Sequence, residues 1–174
     1  VLLHAAAGGV GLLILQILKR KFKNVEIVAI ASTAEKLKLL KDEGADHVIN
    51  YRKERFEGEV RRLTKRKGVD VVFEHVGADT WNGSLLCLKR GGRLVTCGST
   101  SGVSTTMNLM QLFQQQYRIF GSFGCSMKNI AESLAKMADG MTPVIDSVWP
   151  LVDFEKALGK LGDRKALGKL IIRL

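Results

Sequence analysis

Hydrophobic residues along this chain follow two patterns that alternate from the first residue onward. Short continuous apolar runs, such as VEIVAIA over 25–31, predict strands buried on both faces, as in a parallel sheet. Longer stretches in which apolar residues recur about once per helical turn predict helices. Strands are predicted over 1–3, 25–31, 47–50, 69–73, 93–97 and 117–120, and helices over 9–21, 34–43, 56–67, 80–88 and 109–115.

The connections between these elements are short and carry their own signals. Gly91 and Gly92 predict a turn before the fifth strand, and Ser32 or Thr33 is expected to cap the second helix. Six strands that alternate with helices imply right-handed crossovers, so the predicted fold class is α/β with a doubly wound, six-stranded parallel sheet. Ligands of such sheets bind at the carboxyl ends of the strands. The positions to inspect are 6–11, 31–36, 50–51, 76–77 and 97–99.

The pattern loosens after residue 123. Ile130, Leu134 and Met137 predict one helix. It is followed by a predicted strand over 144–149, a helix capped by Asp153 and a last strand over 169–174. We therefore divide the chain into a sheet domain over 1–123 and a C-terminal segment over 124–174.

The first strand runs into a glycine turn with the pattern A-x-G-x-x-G, formed by Ala6, Gly8 and Gly11. A phosphate-binding turn needs small residues for a tight bend, for close backbone approach to a pyrophosphate and for close packing of helix on sheet. The N–H groups at the start of the following helix favour an anion. A glycine-rich turn can also serve packing alone, but its place between a strand and a helix favours phosphate binding.

The end of the second strand bears on the choice of cofactor. Domains that bind NAD place an acidic residue there, about 20 residues after the glycine turn, whereas this chain has Ala31. Ser32, Thr33 and Lys36 follow, so hydroxyls and a cation replace the carboxylate. This set suits a 2'-phosphate and predicts NADP(H). In the alternative interpretation, Ser32 or Thr33 is only a helix cap and Lys36 only a surface charge.

Composition narrows the class of protein. The chain has 174 residues, of which 46% are hydrophobic, enough for a folded core. No apolar stretch is long enough for a membrane span. Because the sequence opens inside a strand, we expect it to be part of a longer protein. Cys87, Cys97 and Cys125 have no paired spacing, which predicts neither disulfides nor a zinc site and favours a cytoplasmic location.

Charge and side-chain chemistry suggest few other functions. The net charge of +10 could attract nucleic acid, but no aromatic residues lie among the basic clusters, which favours solvated helix faces instead. His4, His47 and His75 lie on separate strand segments and form no hydrolytic or metal-binding constellation. Glu74 precedes His75, but neighbouring strand residues point to opposite faces and cannot act as an acid and base pair.

Several motifs in order along the chain carry a family resemblance. They are HAAAGGVG at 4–11, INY at 49–51, VVFEHVGADTW at 71–81, LKRGGRLVTCGSTSG at 88–102, IFGS at 119–122 and GKLIIRL at 168–174. Together they resemble the cofactor half of the medium-chain dehydrogenases and reductases, which include zinc-type alcohol dehydrogenases and quinone oxidoreductases. The resemblance implies a Rossmann fold and covers nearly the whole chain.

The resemblance also implies contacts with NADP(H). It implies pyrophosphate contacts at Gly8, Gly9 and Val10, and 2'-phosphate contacts at Ser32 and Lys36, with Thr33 and Tyr51 nearby. Val76 and Gly77 are expected to contact the adenosine. Cys97, Gly98 and Ser99 are expected around the nicotinamide, with Phe120 and Gly121 below it.

The resemblance also implies that the substrate pocket and any zinc ligands lie outside this chain. In this family an N-terminal, GroES-like half carries the substrate pocket and any zinc ligands, and the segment 124–174 packs against it. We therefore expect no catalytic and no metal-binding residue here and an inactive isolated chain. The full-length protein is expected to transfer hydride between nicotinamide and an alcohol, carbonyl, quinone or enone, and to dimerise through the strand 117–120. A non-enzymatic NADPH-binding module on the same fold is the alternative.

Overall fold

A computed structural model describes all 174 residues and contains a six-stranded parallel sheet. The strands are β1 (Leu2–Leu3), β2 (Val28–Ala31), β3 (His47–Asn50), β4 (Val69–Glu74), β5 (Leu88–Thr96) and β6 (Arg118–Gly121). The helices between them are α1 (Gly9–Lys21), α2 (Ala34–Asp42), α3 (Phe56–Leu63), α4 (Trp81–Cys87) and α5 (Leu109–Gln114). The spatial order β3-β2-β1-β4-β5-β6 confirms the predicted doubly wound sheet.

The sheet separates two apolar layers because successive residues of each strand point to opposite faces. Leu2 belongs to the layer beneath α3 and α4, and Leu3 to the layer beneath α1 and α2. Both side chains are fully buried. Strands are added outward from β1 in one direction as far as β3 and then from β4 in the other direction, so the strand order reverses between β1 and β4. The carboxyl ends of these two parallel strands form the crevice where doubly wound sheets bind ligands.

Two predicted boundaries differ from the structure because side-chain hydrogen bonds take the place of the backbone bonds that would continue a strand or a helix. The second strand begins at Val28 rather than at residue 25, and the preceding Ile27 N–H donates to the Asp46 carboxylate at 2.7 Å. The third helix ends at Leu63 rather than near residue 67. There the Thr64 hydroxyl donates to the carbonyl of Val60 and accepts from the N–H of Gly68, which ends the helix.

The predicted turn at Gly91 and Gly92 lies inside β5, so its placement before the strand was wrong. Val69 pairs with Leu88 and Val71 pairs with Arg93, which leaves the residues between Leu88 and Arg93 as an irregular bulge in the strand. The sixth strand starts one residue later than predicted. It pairs with β5 alone and therefore lies at one edge of the sheet.

The C-terminal segment contains α6 (Met127–Ala138), β7 (Ile145–Pro150), α7 (Phe154–Gly162) and β8 (Lys169–Arg173). β7 and β8 form a separate two-stranded parallel sheet. The predicted apolar positions of α6 lie on a helix, but all three are exposed. Asp153 precedes α7 as predicted, yet its carboxylate accepts no cap bond and pairs with Lys156 instead. The boundary at residue 123 stays a prediction.

The C-terminal segment is joined to the sheet domain through α1 and the glycine turn. Gly168 N–H donates to the carbonyl of Ala7 at 2.9 Å, and the Gln16 amide donates to the carbonyl of Thr142 at 3.1 Å. The guanidinium of Arg20 donates to the carbonyl of Gly140 at 2.6 Å. The segment thus reaches the candidate ligand site, which the sequence did not reveal.

Candidate functional site

The glycine turn at the end of β1 has the geometry that its pattern predicts. Gly8 precedes α1 in an extended conformation, and the first intrahelical bond runs from Leu12 N–H to the carbonyl of Gly8. The N–H groups of Gly9, Val10 and Gly11 come before that bond and are unpaired within the helix. Such open N–H groups favour an anion, so the start of α1 is a candidate anion site.

Lys169 lies over this turn, and the sequence reasoning missed it. A Cβ atom added to Gly9 would meet Lys169 Cγ at 2.8 Å and Nζ at 2.9 Å. Gly9 therefore makes room for a lysine ammonium beside the start of α1. The only sequence signal was the lysine of GKLIIRL, which enters β8 about 160 residues after the turn that it covers.

The end of β2 separates the roles of the two candidate hydroxyls. Thr33 is the N-cap of α2, and its hydroxyl accepts from the N–H of Lys36 at 3.3 Å. Ser32 is nearly buried and makes no cap bond. The structure therefore assigns the cap to Thr33 and leaves the hydroxyl of Ser32 for another partner.

The ammonium of Lys36 is held by the C-terminal segment. It donates to the carbonyl of Arg164 at 2.5 Å. Burial lowers the pKa of Lys36, and the cations of Arg52 and Arg164 add to this shift, whereas Tyr51 and the carboxylate of Glu35 oppose it. Charged groups of both signs therefore lie near Lys36, and the sequence reasoning had not placed Glu35, Arg52 or Arg164 beside it.

The ends of β4 and β5 are fastened to each other. Gly77 has a φ of +100°, and a Cβ atom there would lie 2.6 Å from the carbonyl oxygen of Gly102, so only glycine fits this approach. The carbonyl of Val76 accepts from both the N–H and the hydroxyl of Ser101, at 2.7 and 2.8 Å. The predicted residues Cys97, Gly98 and Ser99 are exposed on the same loop.

The two predicted site residues of the sixth strand, Phe120 and Gly121, have different surroundings. Gly121 ends β6 with open space around it, whereas the ring of Phe120 lines a cavity of about 1110 Å³ with Phe73 and Val95. That cavity opens at the amino ends of the strands, where Asn24 and Asp70 also line it. It contains no residue of the glycine turn, so it is not the candidate site, and the role of Phe120 stays a prediction.

A buried polar network lies directly beneath the crevice. The Glu74 carboxylate is fully buried and accepts from the hydroxyls of Ser84 at 2.6 Å and Thr80 at 2.8 Å. His4 Nε2 lies 2.8 Å from the hydroxyl of Ser84. Burial lowers the pKa of His4 to about 4, although Glu74 opposes the shift, so His4 is neutral near pH 7. Sequence reasoning had treated His4 as a structural residue and had not linked it with Glu74.

The remaining features concern metals, membranes and cysteines. The chain contains no cluster of three or more His, Cys, Asp or Glu residues that could hold a metal ion. No helix has the length and apolar character needed to span a bilayer. Cys97 and Cys125 are exposed thiols, while burial raises the pKa of the Cys87 thiol to about 12.

The fold and the turn define a class of protein. A doubly wound sheet of order 3-2-1-4-5-6, with an A-x-G-x-x-G turn at the start of the helix after β1, is a dinucleotide-binding Rossmann domain. The family model described as zinc-binding dehydrogenase matches residues 9–139. The chain therefore belongs to this family of medium-chain dehydrogenases and reductases and corresponds to its cofactor half, as the motifs predicted.

Individual relatives support the same assignment. A quinone oxidoreductase of Pseudomonas aeruginosa is 38% identical over 148 residues, which cover 84% of this chain and 45% of that protein. A crystal structure of an NAD-dependent alcohol dehydrogenase superposes with a TM-score of 0.90 at 32% identity, over 99% of this chain and 50% of the other. A mycobacterial protein solved with NADPH has a TM-score of 0.85 at 31% identity, over 99% and 56%. The chain spans between 34% and 45% of the length of the quinone oxidoreductases it matches first.

Proposed function

We propose that this chain is the NADP(H)-binding domain of an oxidoreductase that transfers hydride between nicotinamide and an alcohol, carbonyl, quinone or enone. The observation that carries the proposal lies at the end of β2, where Ala31 stands in place of the carboxylate typical of NAD sites and is followed by the buried Ser32. Lys36, with Arg52 and Arg164 near it, supplies a cation cluster beside this strand end. One solved relative is named as NAD-dependent and another was solved with NADPH, so the choice is argued from these side chains.

The donors of the site fit a dinucleotide with three phosphate groups. The open N–H groups at Gly9 and Val10, with the ammonium of Lys169 beside them, would hold the pyrophosphate. Ser32 and Lys36 would hold the 2'-phosphate with Tyr51 nearby. The wall formed by Val76 and Gly77 would contact the adenosine, and the loop 97–99 with Gly121 would border the nicotinamide.

The cofactor would supply the hydride, and the residues of this chain would bind and orient it. We assign no catalytic residue and no zinc ligand to the chain, and place the substrate pocket and any zinc in an N-terminal half. The isolated chain is accordingly expected to bind cofactor without turnover.

We favour an enzyme domain over a nucleic-acid binder because basic residues cluster at the C-terminal turns of α1 and α3, where cations complement the helix dipole. A cytoplasmic location is proposed from the free cysteines.

Replacing Lys36 by alanine should weaken NADPH binding about ten- to 150-fold, since a charge-assisted hydrogen bond contributes about 1.5–3 kcal/mol. NADH binding should stay the same, because NADH has no 2'-phosphate. Both cofactors would be titrated against intrinsic fluorescence in moderate salt. Lys38→Ala is the matched control: Lys38 lies on the same helix, is highly exposed and pairs with Asp42. It should change neither affinity by more than about twofold.

Two results would contradict the proposal. A wild-type chain that binds NADH as tightly as NADPH would show that the cation cluster does not read the 2'-phosphate. Equal weakening of both cofactors by Lys36→Ala would show that Lys36 only joins α2 to the C-terminal segment through Arg164.

The open edge of β6 is proposed as a dimer interface. Ser122 N–H donates to Thr96 of β5, so by the alternation of parallel strands the N–H of Gly121 points to the open side. Sedimentation should show a dimer, and Gly121→Pro should shift it toward monomer because proline removes an outward donor without breaking a bond to β5. A monomer at every accessible concentration would refute the interface.

A further inference from the structure

The carboxylate of Glu74 holds a turn of the candidate site from beneath. Its Oε1 atom accepts from the N–H groups of Val76 at 2.7 Å and Gly77 at 3.1 Å. Its Oε2 atom accepts from the hydroxyls of Thr80 and Ser84. Four donors thus converge on one fully buried side chain. A buried carboxylate is costly unless its hydrogen bonds are made, and these bonds are.

The network extends from β4 to β1. Burial raises the pKa of Glu74, but His4 and the donors around it outweigh burial and keep the net pKa below its usual value, so the group is ionised and can only accept. The single proton of Ser84 therefore goes to Glu74, and Ser84 accepts from His4 Nε2–H. His4 is the residue that follows β1 and leads into the glycine turn, and its ring also packs edge-on against Phe56 at 5.0 Å.

The turn at Val76 and Gly77 also makes the hydrogen bonds that hold the loop after β5. Val76 offers its carbonyl to Ser101, and the hydroxyl of Ser101 accepts from the N–H of Asp79 at 3.1 Å. Ala78 N–H donates to the carbonyl of Gly102 at 3.3 Å. The position of this loop therefore depends on the turn, and the turn depends on the carboxylate.

We propose that Glu74 is a positioning residue for the cofactor site: its buried carboxylate fixes the turn at Val76 and Gly77, and through that turn the loop 99–102, relative to the glycine turn after β1. The inference rests on the proposed function and deepens it. An apolar side chain could fill the same volume, but it would leave the two backbone N–H groups without an acceptor. The carboxylate of Glu74 thus fixes the backbone conformation of the turn, whereas filling the buried volume would need no charged group.

The test compares Glu74→Met, which fills a similar volume but offers the turn no oxygen acceptor, and Ser84→Ala with Val60→Ala in the full chain. Val60 is fully buried on α3 and takes part in none of the hydrogen bonds of the turn, so its variant should lose stability without removing a bond of the site. Two quantities are measured: the dissociation constant for NADPH, and the hydrogen-exchange rates of the Val76, Gly77 and Ser101 amides without cofactor.

Glu74→Met should weaken NADPH binding about tenfold, the effect of losing about 1.4 kcal/mol, and accelerate exchange of these amides at least as much. Ser84→Ala should do the same to a smaller degree and serves if Glu74→Met fails to fold. Val60→Ala should lower the melting temperature and leave both quantities unchanged.

Wild-type affinity and wild-type exchange in Glu74→Met would overturn the inference, as would equal changes in Val60→Ala, which would indicate a merely structural role. A wild-type chain that binds no NADPH would contradict the proposed function instead. The exchange rates would then still decide whether Glu74 holds the turn.

Discussion

Replacing Gly11 by alanine should destabilise the chain by about 3 kcal/mol, the upper end of the usual cost of overpacking. A Cβ atom at Gly11 would lie 2.5 Å from both the Cα and the carbonyl oxygen of Ala6. These are backbone atoms that cannot rotate away. α1 would have to move off β1, and Leu12 and Leu15, which α1 buries against the sheet, would lose contacts.

The same substitution at Gly159 should have the opposite sign. Gly159 lies inside α7, and a Cβ atom added there would have no heavy atom within 4 Å, so the methyl group of alanine meets open space. Alanine in a helix interior is more stable than glycine by about 0.5–1 kcal/mol because glycine loses more backbone entropy on folding.

Thermal unfolding of the two variants would decide the matter. For a chain of this size we expect the melting temperature of Gly11→Ala to fall by about 6–12 °C and that of Gly159→Ala to rise by about 1–4 °C. A Gly11→Ala variant as stable as wild type would mean that α1 does not pack as closely on Ala6 as the structure shows.

Protonation of His4 alone should lower the free energy of unfolding by about 3 kcal/mol as the pH falls from about 6.5 to 4. Burial lowers its pKa in the folded chain to about 4, whereas an unfolded histidine titrates near 6.5. The unfolded chain therefore binds the proton first. The contribution is fully present above about pH 6.5 and is lost as the pH falls toward 4.

Other groups near His4 act in the same direction and must be separated from it. Burial also lowers the pKa of His75. The lowered pKa of Glu74 adds a loss of stability only at pH values below its usual value of about 4.3. Both residues remain in a His4→Gln variant, whose amide can still donate to Ser84 but has no proton to gain in this range.

Denaturant unfolding at several pH values would measure the difference. Wild type should lose about 3 kcal/mol more than His4→Gln between pH 7 and pH 4. The ring resonances of His4 should also stay those of the neutral form down to about pH 4. Equal losses in the two proteins, or titration of His4 near 6.5, would show that burial does not control this histidine.

The sequence by itself predicted the elements of the sheet and a candidate site for an anion. Continuous apolar runs such as VAIA in β2 report burial on both faces, and glycine patterns such as that around Gly11 report where a helix must approach a strand. These signals are local, because the residues that produce them are neighbours along the chain. The doubly wound topology followed, since short crossovers between parallel strands have one hand.

The tertiary structure alone decided which side chains share the site. Lys36 contacts Arg164, 128 positions away, and Lys169 covers Gly9. The pairing of His4 with Ser84 spans 80 positions. No periodicity encodes such contacts, because they arise only when the C-terminal segment returns to α1 and when β4 packs beside β1. The hydroxyls of Ser32 and Thr33 were equivalent in the sequence, and only the backbone geometry at the start of α2 separates the cap from the free hydroxyl.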